Sequence, residues 1–224
     1  MTFVVFDLDD TLYLERNFIL SGYRAVGIYA RDQHGIENLE PACRTVFASG
    51  ERRRVFDKAL LSLGAMPERD LVQDLVRIYR GHTPMIALQA DADRALRRFS
   101  GRCALISDGP AKTQAAKVAA LGLKDRLSPI ILTGTLGIGA GKPAPLAFEM
   151  LEDATGLSGA DLVYVADNPV KDFVSPRRMG WQTVMIARKM RVHLSPPPTT
   201  DHAAAHRITS LDMLDDCLTR DPKD

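Results

Sequence analysis

Two aspartates, Asp7 and Asp9, directly follow the apolar run 3–6 at the start of the chain. A short apolar run that ends in carboxylates is typical of a buried strand leading into a site, because open parallel sheets bind ligands beyond the carboxyl ends of their strands. Clustered acids usually share a metal, a proton or a substrate, since an unpartnered buried charge is costly. The alternative is that Asp9 or Asp10 caps the helix that follows.

Two further polar groups suit a bound anion. Ser107, Asp108 and Gly109 follow a second apolar run, and they offer a hydroxyl and backbone amides ahead of a helix. Farther along, the glycine-rich stretch 137–141 leads into Lys142, whose ammonium can reach a phosphate as a point charge. An ordinary turn and a solvated lysine are the alternatives for these two groups.

A second pair of acids, Asp167 and Asp172, follows the apolar run 162–166. Carboxylate oxygens at the exit of a strand suit Mg²⁺, which keeps several waters and takes few protein ligands. Asp167 could instead cap the next helix.

The segments that position these groups have the pattern of one mostly parallel sheet. Apolar runs predict strands at 3–6, 103–106, 129–132, 162–166 and 182–186, and a strand-like stretch follows at 206–208. From the second strand onward, strands alternate with helical patterns, which indicates βαβ units. One of those helices is expected to open at Pro143 and to close at Gly156.

The interval 15–83 contains no convincing strand. Its apolar residues fall on three helical faces, which end near Gly35, Gly64 and Gly81. This pattern predicts an all-helical cap over residues 15–83, inserted into a core formed by residues 1–14 and 84–224.

Composition excludes several classes of function. The 29 basic and 28 acidic residues leave a net charge of +1, so nothing draws the chain to nucleic acid or membrane. No segment has the length of a membrane span, and no secretory signal is expected. Cys43, Cys103 and Cys217 are widely spaced and odd in number, which favours a reducing cytoplasmic setting. The oligomeric state is not predicted.

Acids, a hydroxyl, a lysine and further acids thus follow four strands in that order. This arrangement resembles the haloacid dehalogenase (HAD) superfamily, whose motifs are DxDx[TV], a strand ending in Ser or Thr, a Lys, and an acidic pair of the GDxxxxD type. The resemblance spans residues 7–172, and Ala166 stands where the last motif commonly has Gly. It implies a Rossmann-like α/β core of subfamily I with a helical C1-type cap.

The resemblance also implies residue roles. Asp7 would be the nucleophile that forms an aspartyl-phosphate, and Asp9 would be the general acid and base. Asp7, Asp9 through its backbone carbonyl, and Asp167 would hold Mg²⁺. The residues expected to bind the phosphoryl group or to orient its ligands are Asp10, Ser107, Asp108, Gly109, Lys142 and Asp172.

The predicted function is a Mg²⁺-dependent phosphatase of a small phosphorylated metabolite. Dehalogenases of the superfamily resemble this pattern but lack the second acid, so Asp9 favours phosphoryl transfer. Alternatives are a phosphomutase using the same intermediate and a non-catalytic HAD-like binding or regulatory protein. Within the cap, Lys58 is interpreted as a surface lysine, and an arginine among 52–54 is a candidate for binding a second acidic group. The basic segment 188–191 is interpreted as a solvated loop.

Overall fold

A computed structural model describes residues 2–218 of the chain and contains a six-stranded, all-parallel sheet in the order β3-β2-β1-β4-β5-β6. The strands are β1 (Phe3–Phe6), β2 (Cys103–Ser107), β3 (Ile130–Leu132), β4 (Leu162–Ala166), β5 (Gln182–Ile186) and β6 (His206–Ile208). The α-helices are α1 (Glu15–His34), α2 (Leu39–Ala48), α3 (Val55–Ser62), α4 (Arg69–Gly81), α5 (Ala90–Arg98), α6 (Ala111–Ala120), α7 (Leu146–Thr155), α8 (Val174–Arg178) and α9 (Leu214–Leu218).

The chain divides into two compact units. One joins the segment up to Arg16 to the chain from Ile86 onward, and the other is Asn17–Met85. The second unit contains helices and no strand among its residues, all of which the structure describes. No helix within residues 2–218 is long and apolar enough to cross a bilayer.

The burial of the sheet explains why the sequences of its strands are continuous apolar runs. Every residue of β2 and β4 is buried, as expected for parallel strands covered on both faces. Behind β4, the ring of Phe148 meets those of Tyr164 and Trp181 edge to face, with centroids 5.1 and 5.5 Å away. This packing makes the strand ends rigid supports for polar side chains.

All six strand predictions are confirmed, with bounds that differ by at most one residue. The helix expected to open at Pro143 begins at Leu146 instead, because residues 141–144 form a turn closed by Ala144 N–H donating to the Gly141 carbonyl. Helix α2 was not predicted.

Candidate functional site

Asp7 leaves β1 at the centre of the sheet, between β2 and β4. Its N–H donates to the Val165 carbonyl at 2.9 Å, so the strand pairing continues to the carboxylate itself. The chain then turns at Asp10, which has φ 50°. The Asp10 carboxylate accepts from the N–H groups of Glu15 at 2.9 Å and Val192 at 2.5 Å. The side chain of Asp10 therefore holds the loop and caps the start of α1.

Lys142 is the buried cation of the site. Its Nζ lies 2.7 Å from Asp7 Oδ1 and 2.7 Å from Asp172 Oδ1, and it donates to the Tyr164 hydroxyl at 2.7 Å. Burial opposes its charge, but the carboxylates of Asp172 and Asp7 raise the pKa of Lys142 well above its ordinary value. The ammonium is therefore permanently charged and aims at the predicted nucleophile.

Three acids converge beside this lysine. Asp7, Asp167 and Asp172 each present an oxygen, and these oxygens lie within 4.8 Å of one another. Asp167 Oδ2 is buried and has no hydrogen-bond partner among residues 2–218. Burial and the charges of Asp172 and Asp7 raise the pKa of Asp167, while burial raises that of Asp7 to about 6 despite Lys142.

A divalent cation fits this cluster. Hard carboxylate oxygens are its preferred ligands, and the unpartnered Asp167 Oδ2 is a buried oxygen that needs a positive partner. Asp172 also accepts from the Asn168 N–H at 2.9 Å and is thereby fixed between the backbone and Lys142. The cluster contains Asp7 and Asp167 from the predicted ligand set, whereas the Asp9 side chain points elsewhere.

Asp9 makes contacts with helix α6. Its Oδ1 pairs with Lys117 Nζ at 2.6 Å and accepts from the Tyr13 hydroxyl, and its Oδ2 accepts from Gln114 Nε2 at 2.9 Å. Burial alone would raise the pKa of Asp9. The charge of Lys117 and the hydrogen bonds from these donors outweigh burial and bring the pKa of Asp9 below its ordinary value. Gln114 Nε2 also donates to Ser107 Oγ at 2.7 Å, so Ser107 and Asp9 share one partner.

Asp108 uses its carboxylate to hold neighbouring loops together. Oδ1 accepts from the Thr133 hydroxyl at 2.8 Å and from the Lys142 N–H at 3.1 Å, while Oδ2 pairs with Lys171 at 2.9 Å. A direct role of the Asp108 and Asp10 side chains in binding substrate stays a prediction, as does the role of the Gly109 amide.

Arg188 corrects the interpretation of 188–191 as a solvated loop. It is buried, donates to the Thr11 carbonyl through Nε at 2.9 Å and Nη2 at 2.6 Å, and pairs with the buried Asp91 at 3.1 Å. Asp91 in turn accepts from the Leu211 N–H at 2.8 Å. Arg188 thus connects the loop after Asp7 with helix α5 and, through Asp91, with the C-terminal segment around Leu211.

Sequence reasoning missed Gln114, Lys117, Tyr164 and Arg188. A readable signal existed for the first two, since residues three apart share a helix face and both follow the Ser107 turn. Tyr164 and Arg188 carried no such signal, because a tyrosine in an apolar strand and an arginine in a basic run are both common.

The cap unit has a cleft of about 390 Å³, with aromatic rings and arginines along its walls. Tyr23 is buried there beside the rings of Phe56 and Tyr79, at 6.2 and 5.9 Å. Arg54 lines the same cleft and pairs with Asp57 at 3.1 Å. Lys58 is paired with Glu51 and its side chain is 55% exposed, as expected of a surface lysine.

Parts of this chain are similar in sequence to curated proteins. A phosphoserine phosphatase of Thermus thermophilus is 32% identical over 143 residues, which are 62% of this chain and 56% of that protein. Haloacetate dehalogenase H-2 of a Moraxella species is 33% identical over 95 residues, or 42% of this chain and 41% of the relative. The chain therefore matches about half the length of these curated relatives.

The fold has solved counterparts. The magnesium-bound HAD-hydrolase YfnB of Bacillus subtilis superposes with a TM-score of 0.70 at 18% identity, covering 98% of this chain and 99% of that one. The family model for haloacid dehalogenase-like hydrolases matches residues 1–180. Because this match covers most of the chain, the chain belongs to the haloacid dehalogenase-like hydrolases.

Proposed function

We propose that this protein is a Mg²⁺-dependent phosphatase that hydrolyses a small phosphorylated metabolite through an aspartyl-phosphate on Asp7. The observation that carries the proposal is the contact of Lys142 with both Asp7 and Asp172, next to a third buried acid, Asp167. A buried carboxylate held by a charged lysine is an oriented nucleophile for a phosphoryl group, whose negative oxygens the lysine attracts.

The metal fits the same residues. Asp7 and Asp167, with Asp172 beside them, would hold Mg²⁺, which supplies positive charge against the phosphoryl oxygens and the nucleophile. The Asp9 backbone carbonyl stays a proposed further ligand.

The residues of the chain perform the chemical steps. An Asp7 oxygen attacks phosphorus, and the bond from phosphorus to the ester oxygen breaks while Asp9 delivers a proton to that oxygen. Because its lowered pKa leaves Asp9 ionised in the free protein, this proton enters with the ester, which binds as its monoanion. Asp9 then takes a proton from a water that attacks phosphorus, and cleavage of the acyl-phosphate linkage returns Asp7 and releases inorganic phosphate. Lys142 and Ser107 bind the phosphoryl oxygens as their charge builds up.

Asp9 distinguishes this reaction from dehalogenation. Displacement of a halide leaves an anion that needs no proton, so that reaction does not require a second carboxylate to protonate the leaving group. An alkyl phosphate leaves as an alkoxide that does need one. The presence of Asp9 beside Ser107 supports phosphatase chemistry, even though one relative is a haloacetate dehalogenase.

The substrate proposed is a water-soluble phosphate monoester such as phosphoserine, a sugar phosphate or a nucleotide. The phosphatase relative supports the first of these, since it is named for phosphoserine. We further propose a cytoplasmic setting without nucleic-acid or membrane partners, supported by the odd number of widely spaced cysteines and the net charge of +1.

The test is phosphate release from p-nitrophenyl phosphate and a metabolite panel that includes phosphoserine, with Mg²⁺ or with EDTA. Asp7→Asn is the negative control, and chloroacetate tests for halide release. Metal-dependent phosphate release that Asp7→Asn abolishes is the expected result. Halide release without phosphate release would identify a dehalogenase, and activity retained in Asp7→Asn would overturn the nucleophile assignment.

A further inference from the structure

Asp9 is surrounded by hydrogen-bond donors on helix α6 and in its own loop. Lys117 and Tyr13 share its Oδ1, and Gln114 donates to its Oδ2. The carboxylate is thus fixed from both oxygens, and rotation about its side-chain bonds would break at least one of these contacts. A merely solvated acid would have no such restraint.

Gln114 connects this acid to the predicted phosphate ligand. Its amide nitrogen lies 2.9 Å from Asp9 Oδ2 and 2.7 Å from Ser107 Oγ, so each of its two hydrogens has an acceptor. Because Ser107 lies at the end of β2 and Asp9 lies beyond β1, the amide sets the spacing between groups on two neighbouring strands.

The loop before α6 leaves room for this side chain. Gly109 has φ +131°, and a Cβ atom there would lie 3.2 Å from Gln114 Cδ. A Cβ on Gly134 would meet the Gly109 carbonyl oxygen at 2.2 Å, so the neighbouring loop presses on the same turn. Gly109 therefore leaves room for the Gln114 side chain, and Gly134 allows the neighbouring loop to lie against the Gly109 turn.

Burial of Gln114 and Lys117 costs free energy unless hydrogen bonds and ion pairs compensate it completely or the two residues have a function. Gln114 is 2% and Lys117 is 4% exposed, on a helix whose other residues are mostly alanines. Replacing buried ion pairs by apolar residues is often neutral or stabilising, so fold stability alone gives little reason for a lysine there.

We propose that Lys117 and Gln114 are positioning residues that hold Asp9 at a fixed place relative to Ser107, so that its proton transfer meets the ester oxygen of a phosphate bound at Ser107. This inference rests on the proposed phosphatase function. Neither residue touches the reacting atoms, and both act through Asp9.

The proposal predicts a dependence on the leaving group. An alkyl phosphate leaves as a strong base and needs the proton that Asp9 gives, whereas dinitrophenyl phosphate leaves as a stable anion and does not. Loss of the positioning contacts should therefore slow alkyl phosphates selectively. A residue that supports only the fold would affect both classes of ester equally.

The experiment measures kcat and KM of Lys117→Met for dinitrophenyl phosphate and for the best alkyl phosphate of the metabolite panel. We expect kcat/KM, which reports transfer of the phosphoryl group to Asp7, to fall about 100-fold on the alkyl ester, because general acid catalysis contributes about 10²–10⁴-fold. On dinitrophenyl phosphate, kcat/KM should fall less than about fivefold, which also shows that the variant is folded. The later hydrolysis of the aspartyl-phosphate, in which Asp9 is the base, is common to both esters and should lower their kcat alike. Lys112→Met, the same change at an exposed position of α6, should match the wild type.

A second arm tests whether Lys117 acts through Asp9. Adding Lys117→Met to Asp9→Asn should cause no further loss, because the group being positioned has already been removed. Gln114→Leu should lower kcat/KM for the alkyl ester more than for dinitrophenyl phosphate, and it should also weaken binding of both esters, because Gln114 holds Ser107 as well. A further loss when Lys117→Met is added to Asp9→Asn, or equal losses of kcat/KM on both esters in Lys117→Met, would overturn the positioning role while leaving the phosphatase proposal intact. A wild type that hydrolyses neither ester would instead overturn the proposed function, and this inference with it.

Discussion

Replacing Arg188 by Met removes the buried connection between the loop after Asp7 and the C-terminal segment. In the structure, this guanidinium gives two hydrogen bonds to the Thr11 carbonyl and pairs with Asp91. Methionine preserves most of the apolar stem and removes the charge and all the donors. The loss of stability should therefore come from the groups left without a partner.

The magnitude follows from what remains around Asp91. Breaking a buried ion pair by removing one partner costs about 3–5 kcal/mol. Asp91 keeps the Leu211 N–H and the Ser210 hydroxyl as donors, so we expect the lower end of that range, about 3 kcal/mol. For a chain of this size, such a loss lowers Tm by about 10 °C.

The assay uses Trp181, the chain's only tryptophan, which is buried in the core behind the sheet. Its fluorescence during urea titration reports the unfolding of the compact unit that contains the sheet. Arg178→Met is the matched control, because Arg178 is exposed and its replacement should change the free energy of unfolding by less than about 0.5 kcal/mol.

A second substitution tests the cause. Adding Asp91→Asn to Arg188→Met removes the unpaired carboxylate and should restore part of the lost stability. A single variant that loses less than about 1 kcal/mol, or a double variant that is no more stable than Arg188→Met, would refute the reasoning.

Three other outcomes are expected. Because burial raises the pKa of Asp7 to about 6 from 3.8, ionisation of Asp7 should cost the metal-free protein about 3 kcal/mol of stability as pH rises from 4 to above 6. Burial also raises the pKa of Asp10 to about 6, so the part of the pH dependence that comes from Asp10 should persist in Asp7→Asn. Asp7→Asn should reduce the slope in metal-free thermal melts, and an unchanged slope would contradict the burial argument. Gly134→Ala should destabilise the protein by several kcal/mol, because its Cβ would lie 2.2 Å from the Gly109 carbonyl oxygen; wild-type Tm would contradict this. Arg54→Met, in the cap cleft, should raise KM for a substrate with a second acidic group more than for p-nitrophenyl phosphate, whereas the exposed Arg53→Met should not; equal effects would remove the cap-arginine hypothesis.

The sheet and the acids at its edge could be predicted because both depend on local patterns. Apolar runs fix the strands, and parallel strands bring their carboxyl ends together, so Asp7, Ser107 and Asp167 had to lie near one another. Lys142 and Asp172 follow the same logic, and the structure places them in direct contact.

The partners of Asp9 were harder to predict. The spacing of Gln114 and Lys117 places them on one face of a helix, but only the docking of α6 onto the sheet decides that this face points inward. Arg188 bonds to Thr11 across 177 positions of the chain, a distance that no local pattern encodes. Helix α2 was missed because it is only ten residues long and has Pro41 in its first turn, a residue more often taken as a helix breaker.

The central place of β1 in the sheet has a consequence for how the chain folds during synthesis. Within this chain, β1 is made before its neighbours β2 and β4, which begin at residues 103 and 162. This apolar strand therefore stays unpaired while about a hundred residues are translated, and contacts so distant in sequence form slowly. The helices of Asn17–Met85 have local contacts available much earlier. The proposed nucleophile, Asp7, consequently reaches its final environment only after most of the chain has been made.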